Sequence, residues 1–172
     1  MTRFLLLPLL LISSMVSATN YYVKNGGSDF NSGLSDSEAW EHHPWMSTWQ
    51  AGRKSLMAGD IVFLKCGDTW SILTPSGPFI TVAQSGSSGF PIVITSYGTG
   101  PKPIISIAGN YNYPVIRGGY HSDITIDGLE IKHWSNKFSN NGQVGIEFGG
   151  SGKNVPHDWI IKNCDIHNCP KA

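Results

Sequence analysis

Charged residues are scarce in this chain of 172 residues. They make up 14% of it, and twelve lysines and arginines balance twelve aspartates and glutamates. A net charge of zero produces no long-range field of one sign, and the sequence contains no local cluster of basic residues. The composition therefore excludes a protein that is drawn to nucleic acid or to an anionic membrane surface by its overall charge.

A hydrophobic run long enough to cross a membrane is also missing. Residues 4–12 are apolar, but this run is well short of the ~20 residues that a spanning helix needs. Arg3 precedes the run and Val16-Ser17-Ala18 follows it, which is the order found in a secretory signal peptide. We therefore predict a signal peptide over residues 1–18, a mature domain over residues 19–172, and a secreted, cell-surface or periplasmic location.

Cysteine is rare as well. With only Cys66, Cys164 and Cys169 present, one thiol stays unpaired if any disulfide forms. Their spacing matches no zinc-binding pattern. A bridge between Cys66 and Cys169 is compatible with the sequence but is not indicated by it, so the disulfide state stays open.

Helix-forming segments are few, whereas twenty glycines and ten prolines are typical of all-β proteins with many turns. One helix is predicted, over residues 47–57, because a helix would place Trp45, Trp49 and Leu56 on one side. Ser47 is a suitable cap, and Gly59 ends the segment. This helix would cover the N-terminal end of the fold.

Two stretches of the sequence carry the same pattern. Residues 122–131 (SDITIDGLEI) align with residues 157–166 (HDWIIKNCDI), so that Gly128 falls on Asn163. Glycine and asparagine are the residues that most readily adopt a left-handed backbone conformation. Each copy therefore predicts a strand, a bend of one residue and a second strand, at a spacing typical of stacked repeats.

The apolar residues of the two copies coincide too, with Ile126 on Ile161 and Ile131 on Ile166. Residues 144–148 (VGIEF) predict a further strand between the copies. Strand, bend, strand, turn and strand make one coil of an all-β parallel β-helix, whose equivalent residues stack ~4.8 Å apart. Because Ala172 follows a predicted strand with no segment to cover the last coil, we expect missing C-terminal coils and a longer protein.

Several motifs resemble those of secreted right-handed parallel β-helix proteins of the pectate-lyase-like superfamily. They are Tyr21-Tyr22-Val23, Gly27-Ser28-Asp29, GDIVFLK from residue 59, SGSSGFPIVIT from residue 85, and the two repeat copies. The resemblance implies a right-handed coil and action on an extracellular polysaccharide, commonly as a lyase and in some members as a glycoside hydrolase. The matched residues are turn and packing positions, and the calcium-binding aspartate clusters and catalytic lysine or arginine of such lyases are not found in the sequence.

One pair of carboxylates is a possible metal site. Glu130 and Asp165 are equivalent in the two copies and are predicted to point outward, where they would repel each other unless a cation lies between them. Calcium, which prefers oxygen ligands, would satisfy them. The alternative is two hydrated surface acids balanced by Lys132 and His167, which the sequence favours because a calcium site usually needs six or more oxygens.

Aromatic residues suggest where a sugar could stack. Trp134 follows the first repeat copy, Trp159 begins the second, and Tyr120 lies in an aromatic and polar stretch. These three are the predicted substrate-binding residues, with structural packing as the alternative for the two tryptophans. His42 and His43 are interpreted as a polar turn rather than a metal site.

These observations predict a protein that acts on an extracellular polysaccharide. The leading hypothesis is calcium-assisted β-elimination of a glycan that contains uronic acid, with the catalytic residues unassigned and expected beyond Ala172. The alternatives are a glycoside hydrolase, a non-catalytic glycan-binding or adhesin-like module, and a purely structural solenoid.

Overall fold

The computed structural model describes residues 17–109, 111–134, 144–149 and 155–169, and these residues form a parallel β-helix. All pairings between its strands are parallel. The predicted signal peptide lies almost entirely outside the described residues. The described residues contain no helix long and apolar enough to cross a bilayer.

Twelve strands make three sheets within the described residues, and from β2 onward the chain passes through sheets 1, 2 and 3 in turn. Sheet 1 contains β1 (Asn20–Val23), β2 (Ile61–Lys65), β5 (Ile92–Tyr97), β8 (Ile124–Asp127) and β11 (Trp159–Lys162). Sheet 2 contains β3 (Thr69–Ile72), β6 (Ile104–Ala108), β9 (Glu130–Trp134) and β12 (Asp165–His167). Sheet 3 contains β4 (Ile80–Thr81), β7 (Ile116–Gly119) and β10 (Ile146–Phe148).

The core is a set of side-chain ladders. In sheet 1, Val62 is in register with Ile94, and Ile94 with Ile126, and all three are fully buried. Alternate residues point inward because side chains alternate across a strand, and β2 shows this as alternating buried and half-buried positions. Burial of these apolar ladders provides most of the driving force for the fold.

The bend between sheet 1 and sheet 2 confirms the repeat. Gly128 and Asn163 both have positive φ, 72° and 52°, which the absence of a Cβ and the short polar side chain permit. The Asn163 side-chain amide donates to the carboxylate of Asp127 over 2.8 Å, so the later bend is tied to the earlier one. The predicted register is also confirmed, since Ile126 pairs with Ile161.

The predicted helix over residues 47–57 is wrong: this segment is irregular, and the described residues contain no helix. Trp49 N–H donates to the Met46 carbonyl, but several other backbone N–H groups of the segment bond to partners distant in sequence. Ser47 N–H donates to the Phe79 carbonyl, and Gln50 N–H donates to the Asp29 carboxylate. Leu56 N–H donates to the Gln84 side chain. Tertiary hydrogen bonds have therefore replaced the helical ones.

The N-terminal end of the coil is nevertheless covered by irregular chain, and residues 40–46, just before this segment, make the contacts. Trp40 forms a parallel bridge with Val23 of β1, and Met46 forms an antiparallel bridge with Ile80 of β4. Residues 40–46 thus add backbone partners to the first strands of two sheets, and Trp40 and Met46 are buried against the core. Capping by bridges leaves fewer unpaired strand edges than an abutting helix would.

Trp70 lies in β3 and is buried, with its indole N–H donating to the Glu41 carbonyl over 2.7 Å. One smaller expectation fails. His42 and His43 are not a solvent-facing polar turn, because His42 contacts the buried Asp29 carboxylate and His43 is fully buried. The three cysteine thiols are free in the structure.

The outer face of sheet 1 carries an aromatic cluster near the N-terminal end. Tyr22 stacks on Phe63 with ring centroids 5.4 Å apart, and Tyr97 meets Tyr22 edge-on at 5.2 Å. The Tyr97 hydroxyl donates to Asp36 over 2.6 Å. Hydrogen bonds from Tyr97 and then from Lys65 hold the pKa of the Asp36 carboxyl well below its usual range. The cluster therefore fastens the loop around Asp36 to the sheet.

Candidate functional site

The best candidate for a functional site lies where sheet 3 turns into sheet 1 on the later coils. The end of β7 and β10, the turn that leads to β8, and the start of β11 meet there. We call this surface the corner face and define it by Arg117, Tyr120, Asp123, Glu147, Phe148, His157, Asp158 and Trp159.

An ion pair lies on the outer side of sheet 3 at this face. Arg117 and Glu147 are in register on β7 and β10, and Arg117 Nε donates to Glu147 Oε2 over 2.8 Å. Each side chain is about two-fifths exposed, 43% and 41%. Ile116 and Ile146, one residue earlier, belong to the core, so the alternation of the strand places the charged pair outside. A guanidinium has five N–H donors, so this contact leaves others for a ligand.

An aromatic pair lies at the end of β10 and the start of β11. The rings of Phe148 and Trp159 meet edge to face with centroids 4.8 Å apart. The indole N–H of Trp159 donates to the His121 carbonyl over 2.7 Å, which fixes the ring. Both rings line a cavity of about 440 Å³. A wall of this kind, apolar with a few polar groups at its edge, is typical of small-ligand sites.

Gly118 makes room for this aromatic pair. A Cβ at this position would lie 2.9 Å from Cζ2 of Trp159 and 3.2 Å from Cδ1 of Phe148. We therefore expect Gly118→Ala to displace Trp159, to lower the free energy of unfolding by about 1–3 kcal/mol through overpacking, and to change the tryptophan fluorescence. Urea titration followed by fluorescence measures both effects.

Gly77→Ala is the matched control, because a Cβ at Gly77 would contact nothing within 4 Å. Equal loss of stability in the two variants would contradict the packing role of Gly118.

Tyr120 stands beside the cavity. It lies between Gly119, whose carbonyl accepts from Gly149 N–H over 3.2 Å, and His121, whose carbonyl accepts from Trp159. Gly149 and Trp159 both line the cavity, and Tyr120 is 60% exposed. Of the three aromatic residues predicted to bind sugar, the structure therefore brings Tyr120 and Trp159 to one place.

Trp134 is elsewhere. Its backbone pairs with Ala108 at the end of sheet 2, and its side chain lies outside the part of the chain that the structure describes. Its predicted role in sugar binding stays a prediction.

Three polar groups at the corner face have the donor types of a metal site. Ligand atoms of Asp123, His157 and Asp158 all lie within 4.8 Å of one another. Asp123 and Asp158 occupy equivalent positions of successive coils, with φ of 57° and 54°, and Asp123 N–H donates to the His157 carbonyl over 3.1 Å. Two carboxylates and an imidazole suit a transition metal better than calcium, which prefers oxygen alone.

An imidazole near this group is able to accept a proton. Partial burial lowers the pKa of His121, which favours its neutral form, and its Nδ1 lies 3.3 Å from the Ser85 hydroxyl. The corner face thus combines a cation, carboxylates, imidazoles and aromatic rings.

The predicted calcium pair lies on another surface. Glu130 and Asp165 are in register on the outer side of sheet 2, as expected. Glu130 contacts Lys132 at 2.8 Å and His167 at 3.1 Å, and Asp165 contacts Lys102 at 2.9 Å. Hydrogen bonds from Lys132 and then from His167 lower the pKa of Glu130. Lys132 and His167 thus balance Glu130, as in the alternative interpretation, and Lys102 balances Asp165.

These two residues alone do not fit a calcium ion well. Two carboxylates offer at most four oxygens, fewer than the six to eight that calcium takes, and bound calcium would have to displace the neighbouring ammonium groups. The calcium prediction therefore stays a prediction, and no chemical step is assigned to the ion.

The sequence did not identify Arg117, Glu147 or Phe148 as site residues. Residues 144–148 were predicted as a strand, but the sequence shows no repeat that would place Glu147 beside Arg117. The register shift between Glu147 and Phe148 further obscures the relation. An alignment of the sheet 3 strands of successive coils would have been needed to reveal this pair.

Comparison with solved structures supports the fold. Two crystal structures of the GH136 lacto-N-biosidase from Eubacterium ramulus match with a TM-score of 0.62 and 20% sequence identity, covering 88% of this chain and 27% of that chain. A rhamnogalacturonan lyase matches with a TM-score of 0.53 and 18% identity, covering 76% of this chain and 33% of that chain. This chain therefore spans about a quarter to a third of the length of these neighbours. No protein-family model and no curated protein matches it.

Proposed function

We propose that the protein acts on an extracellular polysaccharide that contains uronic acid, and that the corner face binds this glycan. The observation that carries the proposal is the exposed Arg117–Glu147 pair on β7 and β10. Glu147 is followed directly in the chain by Phe148, which lines the cavity with Trp159. An acidic sugar needs a cation for its carboxylate and an apolar surface for its ring, and this face offers both.

Arg117 is the group that recognises the acid. Its guanidinium is planar and can hold a carboxylate through two parallel hydrogen bonds, which fixes orientation as well as charge. A glycan carboxylate would share or replace the contact with Glu147, which is only half-buried and therefore inexpensive to rearrange. The rings of Trp159 and Tyr120 would then contact the sugar.

The reaction that we propose for the protein is β-elimination. A base removes the proton from C5 of the uronate, beside the carboxylate. The electron pair forms the C4–C5 double bond, the glycosidic C4–O bond breaks, and the leaving oxygen takes a proton. Neutralising the carboxylate makes the C5 proton more acidic, and Arg117 is suited to this role.

The test uses purified full-length protein with polygalacturonate, a rhamnogalacturonan, alginate and a neutral glucan. We expect the absorbance of unsaturated uronate to rise with a uronan and not with the glucan. Repeating the assay with a chelator and with added calcium tests the calcium prediction at Glu130 and Asp165. No binding and no product with any of the uronans would overturn the proposed function.

A second candidate is a non-catalytic glycan-binding module. It is favoured by the pairing of the charged groups, since Glu130, Asp165 and Arg117 each contact an opposite charge within the described residues. This candidate predicts retardation of the protein in gels that contain a uronan, without any unsaturated product. The same assays therefore separate binding from cleavage.

A further inference from the structure

A separate cavity lies at the other end of sheet 1, beside β1. Its volume is about 390 Å³, and its walls include Asp29, Trp40, Trp49, Arg53 and Lys54. In sheet 1 the order of strands runs from β1 through β2, β5 and β8 to β11, so β1 is four strand steps from the corner face. At ~4.8 Å per step, the two places are about 19 Å apart along the axis of the coil. We call this cavity the N-terminal cavity.

Two cations line the N-terminal cavity without an acidic partner. Arg53 is exposed, and Lys54 Nζ lies 4.5 Å from the centre of the Tyr21 ring and 5.5 Å from that of Trp40. None of the ion pairs found among the described residues includes either side chain. The aromatic faces hold the lysine in place but do not neutralise its charge.

The one acid in the named wall forms no ion pair with either cation and is outnumbered by them. The Asp29 carboxylate is buried and accepts hydrogen bonds from His42 N–H at 2.8 Å and from Gln50 N–H at 3.0 Å. It also contacts the His42 ring at 3.0 Å. Its oxygens therefore hold the capping segment together, and the cavity keeps its positive charge.

The aromatic part of the wall is rigid. Trp49 meets Trp40 edge to face, with centroids 5.2 Å apart. The Trp49 indole N–H donates to the Gly52 carbonyl, and the Trp40 indole N–H donates to the Asn31 carbonyl. Because both indole N–H groups are hydrogen-bonded within the protein, the half-buried ring of Trp49 presents apolar surface to the cavity.

We propose that the N-terminal cavity is a second binding site for an acidic sugar. Arg53 and Lys54 would bind the carboxylate and Trp49 would contact the ring, in a cavity within the usual volume range of small-ligand sites. The choice of a sugar rests on the proposed function, whereas the preference for an anion rests on the cavity itself. A uronan chain of sufficient length would reach both this cavity and the corner face.

The experiment measures binding of short galacturonate oligomers to the full-length protein by calorimetry at low salt. The variants are Arg53→Gln and Lys54→Gln, with neutral galactose oligomers as the control ligand. Each variant is expected to lose affinity for galacturonate by about tenfold or more, the size of one charge-assisted hydrogen bond. Arg53→Gln should keep the urea midpoint of the wild type, because Arg53 forms no ion pair among the described residues.

Lys162→Gln makes the same change of charge away from both sites and is expected to bind like the wild type. If galacturonate binds but neither Arg53→Gln nor Lys54→Gln weakens it, the second site is overturned while the proposed function stands. If neutral galactose oligomers bind in the same cavity equally well, its acidic preference is overturned. If no galacturonate oligomer binds to any form of the protein, both proposals fall.

Discussion

Acid is expected to destabilise this protein steeply, and His43 is the reason. Its side chain is fully buried and packs against Trp45 with ring centroids 5.0 Å apart. Nδ1 accepts a hydrogen bond from Trp45 N–H over 3.0 Å, and Nε2 has no hydrogen-bond partner within the described residues. Burial lowers the pKa of His43 to about 3, so the ring stays neutral in the folded protein.

Whether acid raises or lowers the free energy of unfolding depends on which state, folded or unfolded, protonates His43 at the higher pH. In the unfolded chain His43 titrates near its ordinary pKa of about 6.5, while the folded form resists protonation. The stability associated with a neutral His43 is therefore complete above about pH 6.5 and is lost as the pH falls towards the folded pKa of about 3. The slope is about 1.4 kcal/mol per pH unit, or about 3 kcal/mol between roughly pH 6.5 and pH 4.

His43→Asn isolates this contribution, because an asparagine side-chain oxygen can accept from Trp45 N–H but does not titrate. Urea midpoints at neutral and acidic pH should fall much less in this variant than in the wild type. His157→Asn, which removes an imidazole that is 66% exposed, should follow the wild type. Parallel loss of stability in wild type and His43→Asn would refute the assignment.

Replacing Arg117 by glutamine is expected to weaken binding of galacturonate oligomers at the corner face by roughly tenfold to a hundredfold. A charge-assisted hydrogen bond contributes about 1.5–3 kcal/mol, and glutamine cannot offer the guanidinium's paired donors. Glu147→Gln should have the opposite effect, because it removes the carboxylate that competes for Arg117 at 2.8 Å. Affinities for a long uronan, measured by retardation in gels, give both results.

Lys162→Gln is again the matched control, since Lys162 contacts Asp127 only at 3.5 Å and is 54% exposed. If Arg117→Gln and Lys162→Gln weaken binding equally, the effect is one of net charge and the corner face is not the binding site. If Glu147→Gln weakens binding as much as Arg117→Gln does, then Glu147 itself contacts the glycan.

The sequence predicts the fold most clearly in its two repeat copies. Gly128 and Asn163 take the left-handed conformation expected of a bend, and this alone places Ile126 over Ile161. The helix over residues 47–57 could not be rejected in the same way. The helical spacing of Trp45, Trp49 and Leu56 predicts that they face the core, and Trp45 and Leu56 are buried while Trp49 is half-buried. It does not predict which partners accept hydrogen bonds from the backbone N–H groups. Those partners, such as Phe79 and Gln84, are distant in sequence.

Only part of the candidate site could be predicted from the sequence, for a related reason. Tyr120 and Trp159 were identified by residue type, and the structure brings them together through the His121 carbonyl. Arg117 and Glu147 are ordinary surface charges in the sequence, and only the parallel pairing of β7 with β10 makes them a pair. The strands of sheet 3 are short, and their register shifts between Glu147 and Phe148. A pattern of apolar residues does not specify such a register.

The connections from sheet 3 to sheet 1 vary in length from coil to coil, while the connection that contains Gly128 or Asn163 keeps to two residues. The chain takes residues 82–91 to pass from sheet 3 to sheet 1 on one coil, residues 120–123 on the next and residues 149–158 on the one after. These connections can therefore change in length, and so change the surface at the corner face, without disturbing the ladder of buried isoleucines beneath them.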